Sequence, residues 1–205
     1  MNVALLSAFI PTFFFVSITP GMCMTLAMTL GMTIGVKRAL WMMLGELAGV
    51  ATVATLSAIG VAALLLNYPS VFLVLKYLGG AYLAYIGVQM WLSKGKMAIK
   101  MEPDGEPASR IDLVSQGFVT AIANPKGWAC FVALLPPFLD ASQPLANQLV
   151  VLIAIILTLE VTCLLIYATG GRTLKSILMH SCNVRIMNRI AGSLMIGVGA
   201  WLAIG

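Results

Sequence analysis

Apolar runs long enough for roughly 20 helical residues occur six times along the chain, over residues 4–34, 39–66, 71–92, 113–139, 146–170 and 186–204. Each is closed by a short polar stretch. The one long polar segment, "SKGKMAIKMEPDGEPASRID", follows the third run. This pattern predicts an all-α integral membrane protein with six transmembrane helices. Its three parts are a first three-helix unit over 1–93, a cytoplasmic linker over 94–112, and a second three-helix unit over 113–205.

The first and fourth runs are interrupted. Thr19-Pro20-Gly21 breaks one, and Asn124-Pro125-Lys126-Gly127 breaks the other. Proline removes a helical hydrogen bond and clashes with the carbonyl four residues back. In lipid, each freed backbone group must find an internal partner or line a wet cavity. Length points the same way: a continuous helix over 4–34 would rise ~45 Å against a hydrocarbon core of ~30 Å. A three-span unit delivers the chain to the opposite side, so two such units with broken first helices would be inverted repeats. Paired interruptions at matching places in two halves point to a transporter's binding site. There, half-helix N-termini offer N–H groups to an anion such as a carboxylate. A kink that only shapes helix packing is the competing reading.

The third and sixth runs, "GGAYLAYIGVQMWL" and "AGSLMIGVGAWLAI", each repeat a glycine at a spacing of seven: Gly80 and Gly87, Gly192 and Gly199. That spacing keeps both glycines on one helix face, where a neighbouring backbone can approach.

Composition fits the pattern. Of 205 residues, 60% are hydrophobic and 9% charged, with a mean hydropathy of +1.00. Soluble domains carry about a quarter charged residues, so the natural solvent here is lipid. The N-terminus lacks a basic region and a cleavage site ahead of a polar mature chain, and is read as a retained span. The net charge of +5 is loop chemistry, not a nucleic-acid footprint. Lys37 and Arg38 follow the first run; Lys94, Lys96, Lys100 and Arg110 follow the third; Arg172, Lys175, Arg185 and Arg189 follow the fifth. The opposite loops, "LNYPS" and "LDASQPLANQ", hold no Lys or Arg. The positive-inside rule places both termini outside the cytoplasm.

Two carboxylates fall within the runs, Glu46 in "LGELAG" and Glu160 in "LTLEVTCLLIY". A carboxylate at membrane depth is expensive and faces a cavity or a partner. Burial disfavours its charged form, which suits proton coupling or amine binding. Gly45 and Gly49 flank Glu46 with a spacing that admits a close helix neighbour, and Cys163 and Tyr167 continue the face of Glu160. A structural Glu–Lys pair, with Lys126 or Lys76 as partner, is the alternative. Two roles are open to Lys126: receiving a substrate carboxylate or neutralising a glutamate. His180, in the basic stretch "GRTLKSILMHSCNVRIMNR", reads as interfacial. The 13 methionines read mainly as gap fillers between helices. Four cysteines, Cys23, Cys130, Cys163 and Cys182, have neither metal nor disulfide-framework spacing.

With these residues assembled, the chain resembles the LysE/RhtB family of bacterial amino-acid exporters over nearly its whole length. The resemblance rests on Pro20-Gly21 with "GMTIGVKRALWMMLGELAG", on "LKYLGGAYLAYIGVQMWL", on "GFVTAIANPKGWACFVALLPPFLD" and on "NRIAGSLMIGVGAWLAIG". It implies a multi-pass protein of the bacterial inner membrane, not an enzyme. Such a protein exports amino acids or related small metabolites at the expense of the proton-motive force. Its partners would be the substrate, protons and the bilayer, with no nucleic acid, cofactor or metal; a homo-oligomer is compatible. The resemblance carries a site over to Pro20, Gly21, Glu46, Asn124, Pro125 and Lys126, to which the reading above adds Thr19 and Glu160. Family members continue Pro-Gly with a second proline and a polar residue, where this chain has Met22 and Cys23; that departure points to a more hydrophobic or unusual substrate. Two other functions compete: a thiol–disulfide electron carrier using Cys23 and Cys130, or a metal-ion exporter.

Overall fold

A computed structural model describes residues 3–92, 108–135, 138–139, 143–179 and 181–204. Most of the linker expected over 94–112, and His180, lie outside the described residues, as do the side chains of Lys76, Arg172, Lys175 and Cys182. The described chain is all-helical. Its helices are α1 (Val3–Ile18), α2 (Met22–Thr33), α3 (Val36–Asn67), α4 (Pro69–Leu92), α5 (Arg110–Ile122), α6 (Pro125–Leu134), α7 (Leu145–Met179) and α8 (Ser181–Ile204). Each predicted apolar run holds one helix or one broken pair.

Among the described residues, two stretches are individually long and apolar enough to cross a membrane: Val36–Val61 of α3 and Leu145–Gly171 of α7. A third qualifies when the bent pair α1–α2, with its 57° angle, counts as one span. In the Leu145–Gly171 stretch, mean hydropathy is 2.9 while only 28% is buried inside the protein. The rest of that surface is suited to lipid.

The breaks fall where the prolines and glycines demand. Gly35 turns the chain from α2 into α3 at φ 82°, a conformation glycine adopts without a Cβ penalty. Ser109 starts α5 with a capping box: its hydroxyl accepts the Asp112 N–H at 3.2 Å while the Asp112 carboxylate accepts the Ser109 N–H at 3.0 Å. Asn124 caps α6 and Pro125 occupies its first position, where a missing N–H costs nothing. Pro11, by contrast, lies inside α1 and the helix continues through it. α7 runs past the predicted end at residue 170, bending at Gly171 (φ 32°).

Small residues set the closest crossings. α3 packs on α5, α4 on α8, and α2 on α7. A Cβ on Gly45 would fall on the Val114 carbonyl, and one on Gly117 would fall on the Met42 carbonyl. Gly87 and Gly192 meet across α4 and α8, a Cβ on Gly87 reaching 2.6 Å from the Gly192 oxygen. Gly199, its predicted companion, has no described side-chain environment. These contacts gain backbone-level packing, which matters in lipid because helices there have no hydrophobic drive to associate.

Two apolar layers form the interior. One is aromatic: Phe9 meets Phe138 edge-on with ring centroids 4.9 Å apart, and stacks with Phe13 at 5.6 Å. Phe13 in turn stacks on Phe131 at 5.9 Å. The other gathers Met24, Met28, Met42 and Met43 with Leu113, Leu164 and Tyr167. Unbranched thioethers fill the irregular space between α2, α3 and α7.

Candidate functional site

Between these layers, where α1 gives way to α2 and α5 to α6, lies a cavity of about 60 Å³. Its polar lining comes from Ser17, Thr19, Cys23, Glu46, Asn124, Lys126 and Glu160, with Gly21 and Gly127 beside them. Phe13, Phe131 and Met24 line it too, so both apolar layers border it. Of the residues predicted as a site, Pro20 and Pro125 do not line the cavity. They make the breaks; their neighbours fill the space.

The end of α1 shows how the break is sustained. A helix terminus leaves its last carbonyls without helical partners, and in lipid each must be met. Three side chains meet them. Thr19 Oγ1 donates to the Phe15 carbonyl at 2.6 Å. Lys126 Nζ donates to the Val16 carbonyl at 2.8 Å. Tyr167 Oη donates to the Ile18 carbonyl at 2.8 Å. A cation at a helix C-terminus is also favoured by the helix dipole. Lys126 thus acts across the fold as a cap on α1, a role outside the two left open by the sequence. The Tyr167 bond has a partial signal in sequence, its place on the Glu160 face; the Val16 and Ile18 carbonyls have none.

The two helix N-termini at the breaks differ. Asn124 Oδ1 accepts the Lys126 N–H at 3.1 Å, so α6 is capped by its own sequence. Asn124 Nδ2 points across the cavity and donates to Cys23 Sγ at 3.7 Å, joining the two breaks directly. α2 starts from Gly21, which has no side chain to cap it. Sequence reasoning expected both N-termini to offer N–H groups to an anion. Asn124 already occupies the first of them at α6, which leaves α2 as the open one.

The glutamates also differ. Glu160 is 9% exposed, and Ser17 Oγ donates to its Oε2 at 2.7 Å. Glu46 is 0% exposed, and no hydroxyl, amide or ammonium donates to its carboxyl oxygens. Its immediate neighbours are the Cys23 thiol and the Glu160 carboxyl, close enough to interact with it by side-chain hydrogen bonding as well as through their fields. Lys126 is near enough to Glu160 to act on it electrostatically, while its bond goes to Val16. Cys163 and Tyr167 are buried on the Glu160 face, as their spacing predicts. Ser17 was not legible beforehand, since a lone serine within "FFFVSIT" reads as an ordinary small residue of a membrane helix.

Cys23 and Cys130 both line the cavity as free thiols. Among the described residues, no group of three His, Cys, Asp or Glu side chains is placed to hold a metal ion.

Chemically, the cavity offers one unpartnered carboxyl group, one engaged carboxylate, one ammonium committed to a carbonyl, and one open helix N-terminus. Its volume falls well below the roughly 300 Å³ at which small-molecule pockets begin, so a substrate needs the site to widen.

The sequence has relatives among known proteins. Over 203 residues the chain is 25% identical to an uncharacterized membrane protein of Vibrio cholerae, covering 99% of this chain and 98% of that one. It is 30% identical over 132 residues to the homoserine/homoserine lactone efflux protein of Salmonella typhimurium, spanning 64% of this chain and 63% of that protein. It is 27% identical over 195 residues to the leucine efflux protein of Enterobacter sp. strain 638, covering 93% and 90% respectively. No solved structure matches. The family description that matches is the LysE type translocator, over residues 14–205, and the chain belongs to that family.

Proposed function

We propose that this protein exports amino acids or related small metabolites from the cytoplasm in exchange for protons. The observation that carries the reading is the cavity itself. Two helix breaks far apart in sequence meet there, with both intramembrane glutamates, Asn124 and Lys126 around one small space. Efflux proteins for homoserine, homoserine lactone and leucine among the relatives support a substrate with an amino group and a compact body.

In this reading α1–α2, α3 and α4 form one three-span unit and α5–α6, α7 and α8 a second, inverted one, with the linker at 94–112 on the cytoplasmic side. Both termini lie outside the cytoplasm of a bacterial inner membrane. Thr19, Pro20, Gly21, Asn124, Pro125 and Lys126 shape the translocation site, and Glu46 and Glu160 carry the proton or bind the amine of the substrate. Alternating access opens the cavity first to one side and then to the other.

The neighbourhood of Cys23 and Cys130 does not favour electron transfer over this, because the family is one of translocators. Expressing the protein in a sensitive bacterial host and scoring resistance to single amino acids, their analogues and dipeptides tests the export reading. Resistance to at least one amino acid or analogue is expected. A host no more resistant than the empty-vector control to all of them would count against export.

A further inference from the structure

We infer that the coupling proton and the ammonium group of the substrate occupy the same place in turn, the carboxyl group of Glu46, while Glu160 stays a fixed anchor. This deepens the export reading and rests on it.

The inference comes from the difference in partners. Ser17 holds the Glu160 carboxylate at 2.7 Å, and the Lys126 ammonium lies in its field. Glu46, fully buried and lining the same cavity, accepts no bond from a hydroxyl, amide or ammonium; only the Cys23 thiol and the Glu160 carboxyl lie within bonding reach of it. A bare carboxylate in such a place is too costly to persist, so without a cation beside it Glu46 is held as the neutral acid. The groups facing it are the Cys23 thiol on α2 and Glu160 on α7; neither supplies a positive charge, and Lys126 on α6 is bonded to Val16. An incoming ammonium group supplies what is missing. When it arrives, the proton on Glu46 must leave, since one carboxyl group cannot serve both. Exclusive occupancy of that kind is a sufficient basis for exchange.

The same cavity fixes the other end of the substrate. The N-terminus of α2 has no capping side chain, and Gly21 and Cys23 line the cavity. α6 is closed to an anion by Asn124. A substrate with its ammonium at Glu46 on α3 therefore directs its carboxylate to the start of α2, where helix N–H groups and the dipole favour an anion.

Proton release on binding tests this. Purified full-length protein is titrated with L-leucine and with L-homoserine by calorimetry in two buffers of different ionisation enthalpy, with N-acetyl-L-leucine as the amine-free control. The wild type should release about one proton per molecule bound, and N-acetyl-L-leucine should release none. Glu46→Gln should bind at least about tenfold more weakly with no proton release, and Glu46→Asp should restore release. Release that persists in Glu46→Gln overturns the inference. Failure of the wild type to bind either amino acid would instead count against the export of these amino acids on which it rests.

Discussion

Ser17 Oγ donates to Glu160 Oε2 at 2.7 Å across 143 positions of sequence, tying the last turn of α1 to the middle of α7. The bond keeps a carboxylate satisfied beside a deliberate break in a membrane helix. Removing the hydroxyl strands that carboxylate. Ser17→Ala should therefore destabilise the folded protein by about 1–3 kcal/mol, read as a lower thermal unfolding temperature in detergent, and Ser17→Thr should recover most of the loss. Equal stability of all three would show that the bond contributes nothing.

Lys126 is predicted to matter for the break before it matters for any substrate. With Lys126→Met the Val16 carbonyl loses its donor, and the start of α2 should exchange its amide hydrogens faster. Lys126→Arg can still reach the carbonyl and should exchange nearly as slowly as the wild type. Hydrogen exchange across residues 15–25 distinguishes the two.

Glycine positions separate into those that are crowded and those that are not. Gly45→Ala and Gly117→Ala each place a methyl group on a facing backbone carbonyl, so the α3–α5 crossing must spread and the yield of folded protein should fall sharply. Gly60, also in α3, has nothing within 4 Å of its missing Cβ. Gly60→Ala should be neutral or stabilising by up to about 1 kcal/mol. Size-exclusion profiles and unfolding temperatures of the three variants decide it.

The start of α5 carries a pH prediction. The Ser109 hydroxyl and backbone N–H hold the Asp112 carboxyl below its ordinary pKa. A group depressed in the folded state contributes stability above its unfolded value, about 3.9 for aspartate, and loses it as pH falls through the folded value. Amide protection at residues 112–115 should thus be flat from neutral pH down to about 5 and fall only in stronger acid. Ser109→Ala should shrink that step, since the backbone N–H still bonds the carboxylate, and Asp112→Asn should abolish it.

Much of this architecture was legible in the chain. Pro20 and Pro125 marked the two breaks because proline cannot complete a helix, and Gly45 and Gly49 marked the face on which α5 packs. Asn124-Pro125 also carries a readable capping signal, an N-cap residue followed by proline at the first helical position. What remained hidden depends on crossings between helices. Nothing local says that Lys126 reaches the Val16 carbonyl, 110 positions away, or that Ser17 selects Glu160 and leaves Glu46 bare. Those pairings are set by how α1, α6 and α7 meet, which hydrophobic periodicity does not encode when helices are apolar on every side.

Efflux from proteoliposomes preloaded with labelled L-leucine or L-homoserine, driven by an imposed pH gradient, tests the central claim most directly. The wild type should release the label faster when the external side is acidic. Glu46→Gln, inserted to the same level, should lose that pH-driven component altogether. Wild-type efflux in Glu46→Gln would contradict the claim that this buried, unpartnered carboxyl group couples protons to export.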